Sequence, residues 1–261
     1  ELTLFTTNAQ SAGFRLHRFE MYNWGAFHRE VYALSLLGEN ALLTGANGAG
    51  KTTLVDALIT LLNPSPERYF NQSAGFEDRK RTRKLEDYVR GVYGHSASGR
   101  EQLRDKPDHA PDYTVLLGVF YNNDLKQYYT LAHLYWIKNN ELQKRYYTAP
   151  IDLNIQMHFR FGGDIRNFNA AAKNAQCRVH DTFNEFALDF QQKLGMRQPE
   201  RANNLAGRTK PLHLLAKTAG IKVLGNLDGF IRDNMLDETN LDDKFNQLKK
   251  EYTDIFETQQ T

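Results

Sequence analysis

The run Gly45-Ala46-Asn47-Gly48-Ala49-Gly50-Lys51-Thr52 has the form G-x-x-x-x-G-K-[ST], and its flanks give it a context. Before it, Glu39-Asn40-Ala41-Leu42-Leu43-Thr44 predicts a short apolar strand. After it, Leu54, Val55, Ala57, Leu58, Leu61 and Leu62 recur at helical spacing until Pro64 and Pro66, which end a helix. In the order strand, glycine turn, helix, the backbone N–H groups of the turn and the positive end of the helix dipole meet at one point, which is an anion site. The main-chain donors of Asn47, Gly48, Ala49 and Gly50 are expected to wrap a β-phosphate, with Lys51 reaching the β- and γ-phosphates. The Thr52 hydroxyl is expected to ligate Mg²⁺, and Thr53 to donate toward the α-phosphate. An ordinary strand-to-helix turn requires neither the lysine nor so many glycines. No Asn-Lys-x-Asp run that would read guanine is present, which favours ATP over GTP.

Composition narrows the class. A chain of 261 residues with 41% hydrophobic and 12% aromatic content builds one sizeable core. The formal charge is only +2, so contact with double-stranded DNA has to come from local patches and not from a global field. The lone Cys177 excludes an internal disulfide and a multi-cysteine zinc site, and the eight scattered histidines give no ligand pair, so no metal is expected beyond the magnesium of a nucleotide. No apolar run approaches 18 residues and the N-terminus is not signal-like, which predicts a cytoplasmic protein with no membrane partner.

Along the chain, residues 1–13 read as a flexible leader. Alternation over Phe14 to Met21 and the apolar run Val31 to Leu36 predict two strands before the loop. Arg79-Lys80-Arg81-Thr82-Arg83-Lys84 is a basic run leading into a helix over Leu85 to Val92, and residues 94–112 read as a loop. Tyr113 to Tyr121, Gln127 to Ile137 and Glu141 to Tyr147, separated by Asn122-Asn123-Asp124 and Lys138-Asn139-Asn140, predict an antiparallel meander whose many aromatics pack across strands. Residues 165–195 read as helical, with Phe183, Phe186, Ala187, Phe190 and Leu194 on one face, and a further helix is expected over Asn226 to Leu236. Leu241, Phe245, Leu248, Tyr252 and Ile255 then keep a 4-3-4-3 spacing, the seam of a coiled coil.

Three runs together resemble the N-terminal head half of MukB-like SMC ATPases. They are Asn23-Trp24-Gly25-Ala26-Phe27, the glycine loop with Asp56-Ala57-Leu58 behind it, and Phe230-Ile231-Arg232-Asp233-Asn234-Met235-Leu236-Asp237-Glu238. Within that family the chain looks most like the JetC motors of Wadjet plasmid-defence complexes, with the MksB-type condensins close. The resemblance implies an α/β P-loop NTPase of the ABC/SMC head type over residues 14–236, with an antiparallel meander, and a coiled-coil arm starting at 237–261. It implies that two copies of the head trap ATP between them and that hydrolysis drives DNA loop extrusion in a bacterial cytoplasm. The implied partners are the chain's own C-terminal head half, a kleisin, a KITE subunit and, in Wadjet, a Toprim-like nuclease.

An apolar strand ending in the Mg²⁺-ordering acid, and the signature run that closes over a partner's γ-phosphate, are not found in the sequence. Nor is a glutamine in Leu214-Leu215-Ala216-Lys217-Thr218, the stretch nearest the family's Q-loop. No catalytic base is therefore expected in this chain, and alone it is expected to be inactive. Arg81 and Arg83 are candidates for touching nucleotide or DNA, against a solvated charged face. Trp24 is a candidate for the vicinity of the adenine, against a buried core tryptophan. Other readings are a head of the Rad50 or RecF repair type, a self-contained P-loop kinase or switch using the meander as a lid, and a module that binds nucleotide without turnover.

Overall fold

The computed structural model describes residues 13–62, 84–96, 99–104, 112–160 and 176–196, together with Leu212 and Lys249. The chain divides into two compact units, Glu1–Gly220 and Ile221–Thr261, and every element described here lies in the first. Residues 79–83 of the basic run, with Arg81 and Arg83, the Phe230–Glu238 run and the heptad seam lie outside the described residues.

The frame is a six-stranded sheet in the order β2-β1-β5-β6-β7-β8, with every neighbouring pair antiparallel. Its strands are β1 (Phe14–Trp24), β2 (Phe27–Ser35), β5 (Tyr113–Asn122), β6 (Gln127–Lys138), β7 (Glu141–Ala149) and β8 (Arg178–His180). The expected meander is β5-β6-β7. Its first turn is held by Asn122, whose Oδ1 accepts from the N–H groups of Asp124 and Leu125, both at 3.0 Å. Its second places Asn139 and Asn140 at φ 53° and 62°, which suits a two-residue hairpin.

Alternation along β5 explains why the sheet is covered on both faces. Leu116 and Phe120 point to one side, where helices α1 (Lys51–Leu62), α2 (Leu85–Arg90) and α4 (Phe183–Lys193) contribute Ala57, Leu61, Tyr88, Val89, Phe186 and Phe190. Val115, Leu117 and Val119 point to the other, against Leu153, Ile155 and Phe159 around the one-turn helix α3 (Ile155–His158). Helix α1 lies so close to β5 that a Cβ added to Gly118 would sit 2.6 Å from Leu61 Cδ2. Of the helical run read from sequence, Leu54, Ala57, Leu58, Leu61 and Leu62 face this core, whereas Val55 is exposed.

Four expectations need correction. Residues 40–46 form no strand and are exposed, Leu42 at 88%. An apolar hexapeptide becomes a strand only beside a ladder partner, and among the described residues none pairs with it. The expected loop over 94–112 contains a hairpin, β3 (Val92–Ser96) with β4 (Gly99–Gln102), in which His95 pairs with Arg100. Of the helical stretch expected over 165–195, residues 165–175 lie outside the described residues, and in the rest Arg178–His180 add a strand to the edge of β7 before Thr182 caps the helix at Phe183. Finally, β2 starts at Phe27 and not Val31, which makes Asn23-Trp24-Gly25-Ala26-Phe27 a hairpin turn.

Candidate functional site

That turn and the glycine loop are built against each other. Asn23, buried at φ 55°, donates from Nδ2 to Tyr113 O at 3.0 Å and accepts the N–H of Arg29 at 2.7 Å, while its own carbonyl accepts from Thr114 Oγ1 at 2.6 Å. The turn is thereby bolted to the central strand β5. Trp24 has no exposed surface, stacks on Tyr88 with centroids 4.6 Å apart and planes 7° apart, and donates its indole N–H to Thr53 O at 2.9 Å. Gly25, at φ 55°, lies against the Thr53 methyl, where an added Cβ would stand 2.8 Å from Cγ2. The Phe27 ring lies against Gly50: a Cβ there would stand 2.8 Å from Phe27 Cζ, at a φ of +89° that L side chains rarely adopt.

Trp24 is therefore a brace for the loop and not an adenine contact, since a sealed ring has no face to offer a base. Asp56 belongs to the same packing. It is buried in α1 and accepts the Tyr88 hydroxyl at Oδ2.

Within the loop, Gly45 to Ala49 are exposed, and Gly50, Lys51 and Thr53 half-buried, with Thr52 open to solvent at the first turn of α1. The Lys51 ammonium donates to Gly45 O at 2.7 Å and Ala46 O at 2.8 Å, which closes the loop into a ring. Ala49 N–H reaches Ala46 O at 3.2 Å and Leu54 N–H reaches Gly50 O at 3.0 Å, so the helix begins directly after the last glycine. The N–H groups of Lys51, Thr52 and Thr53 have no carbonyl within the helix to bond. No acidic residue occupies that first turn. Helix dipole, amides and ammonium thus converge with no carboxylate in that first turn, and the donor set fits the phosphates of a nucleotide with an exposed hydroxyl for its metal. Among the described residues no group of three or more His, Cys, Asp or Glu side chains could hold a metal ion by itself. No described helix is long and apolar enough to cross a membrane.

Sequence reasoning missed Arg104. It is 1% exposed and donates through Nε to Val89 O at 2.8 Å and through Nη2 to Tyr88 O at 2.7 Å and Gly25 O at 2.9 Å. Its Nη1 lies 3.5 Å from Phe27 O and 3.4 Å from His28 Nδ1. Burial first, and then the charge of Arg104, hold His28 below its ordinary pKa.

A family model described as the P-loop containing region of AAA domain matches residues 16–77, less than half of the chain. Among solved structures, one from a study of ATP-driven dimerization and DNA-stimulated activation of SMC ATPases is similar over 61% of this chain and 80% of its own, at 13% identity and a TM-score of 0.33. No curated protein matches. The glycine loop opening α1 inside that matched region, packed on a central sheet, makes the fold that of an α/β P-loop NTPase.

Proposed function

We propose that the chain is the ATP-binding half of an SMC-type motor head. The observation that carries the reading is the ring of Gly45 to Lys51 at the start of α1, which presents main-chain amides, the Lys51 ammonium and the Thr52 hydroxyl on an exposed side of the molecule. Asn47, Gly48, Ala49, Gly50 and Thr53 would hold the phosphates with Lys51, and Thr52 would hold Mg²⁺, which supplies charge neutralisation at the β- and γ-oxygens. Lys51 is folded onto two carbonyls, so nucleotide has only to exchange those acceptors for phosphate oxygens.

The rest of the reading is supported by the sequence runs that resemble MukB-like heads and by the apolar Ala41–Thr44 segment, which pairs with no strand among the described residues. That segment has the pattern of a strand, and the chain's own C-terminal head half is the partner we assign to it. ATP would join two heads, and hydrolysis would power DNA loop extrusion with kleisin and KITE subunits. A Wadjet setting, with its Toprim-like nuclease, is favoured over an MksB-type condensin or a Rad50/RecF-type repair head by the Asn23–Phe27 and Phe230–Glu238 runs alone. Arg81 and Arg83 are the residues we assign to nucleotide or DNA. Exchanging both for Glu should weaken DNA stimulation of the assembled ATPase, and an unchanged response would return the run to a solvated face.

A further inference from the structure

We propose that Arg104 is a positioning residue for the phosphate loop, acting through the β1–β2 turn and never touching nucleotide. It rests on the nucleotide-binding reading of Gly45–Thr52. The guanidinium gathers carbonyls from two places distant in sequence: Tyr88 and Val89 at the end of α2, and Gly25 in the turn. Gly25 is pinned from its other side by donating its own N–H to Tyr88 O at 2.8 Å. One buried cation therefore fixes the turn relative to α2. The residues flanking Gly25 are those that touch the loop: Trp24 holds the Thr53 carbonyl, and Phe27 fills the space that a side chain on Gly50 would take.

Displacing the turn by a fraction of an ångström would reach Gly50 and Thr53, both in the anion site, where amide directions decide how well phosphate is held. The main chain adds a second tie. Arg104 N–H donates to Arg90 O at 3.0 Å and Leu103 N–H to Gly91 O at 3.2 Å, so the return of the β3–β4 hairpin is clipped to α2 and the guanidinium is delivered from a fixed base.

Arg90 provides a matched control. It is also buried and on α2, but its guanidinium bonds Glu86 Oε1 at 2.7 Å and Asn140 Oδ1 at 2.8 Å, away from the turn. R104K keeps the charge but loses the planar fork that serves three carbonyls. In the whole chain, R104K should weaken binding of a non-hydrolysable ATP analogue with Mg²⁺ about tenfold by calorimetry. It should also speed hydrogen exchange at the Leu54 amide, which bonds Gly50 O in nucleotide-free protein, while R90Q leaves both unchanged despite a lowered melting temperature. Should R104K fail to fold, F27L keeps every Arg104 bond, removes the ring from Gly50, and should reproduce both effects.

Wild-type affinity and exchange in R104K or F27L, or equal losses in R90Q, would overturn the proposal. If wild-type protein binds no analogue, the nucleotide reading fails by itself, and the exchange comparison still decides whether Arg104 sets the loop.

Discussion

At the scale of single residues, the site depends on a few contacts with no slack. A methyl at position 50 meets Phe27 at 2.8 Å on a backbone of positive φ, so Gly50→Ala should cost about 1–3 kcal/mol and remove nucleotide binding. A variant that melts like wild type and binds normally would show that the ring and loop part easily. Trp24→Phe keeps most of the stacking area but loses the bond to Thr53 O, an expected loss of about 1 kcal/mol measurable by denaturant titration. Cys177 sits half-buried with its thiol pushed up to about 11 by burial. It should react slowly with a disulfide reagent at pH 8 in the native protein and fully once unfolded, and rapid native labelling would contradict that environment.

At the scale of elements, α4 is clasped to the sheet by one carboxylate. Asp189 Oδ2 accepts from Tyr129 and Thr148, both at 2.7 Å, and Oδ1 pairs with Arg178. Burial pushes this carboxyl up, but the Thr148 and Tyr129 bonds and the Arg178 charge outweigh it and hold it below the ordinary value. Asp189→Asn should therefore cost about 2 kcal/mol at neutral pH, read as a lower unfolding midpoint.

His180, 3.0 Å from Thr148 Oγ1, is held below its ordinary 6.5 chiefly by burial, as is His28. A lowered histidine pKa means the unfolded chain binds more protons, so the stability it contributes is present above pH 6.5 and is lost as pH falls below it. The melting temperature should drop between pH 7.5 and 5.5, and His180→Gln should flatten part of that slope. A midpoint that rises on acidification would contradict these environments.

The elements legible in sequence were those set by near neighbours: α1 from its leucine spacing, and β5-β6-β7 from alternation and Asn turns. Residues 39–44 were misread because an apolar pattern does not reveal whether a ladder partner lies beside it. The β3–β4 hairpin was hidden by the Gly- and Ser-rich composition of 94–99. The glycine loop was readable residue by residue, but its supports were not. Arg104 meets Gly25 across 79 positions, and no local signal marks that pairing.

At the scale of the molecule, the glycine loop rides on a sheet packed on both faces, and behind it stand a turn and a buried arginine bonded to that turn. On the split-head reading the acid that orders Mg²⁺ comes from outside this chain, so the chain alone should hydrolyse ATP at background rate, and robust turnover by the pure chain would contradict that reading. The most direct test of the central claim is calorimetric titration of the chain with a non-hydrolysable ATP analogue and Mg²⁺, beside Lys51→Ala. The account predicts saturable one-site binding by the wild type and none by the variant. Equal binding by both, or none by the wild type, would contradict it.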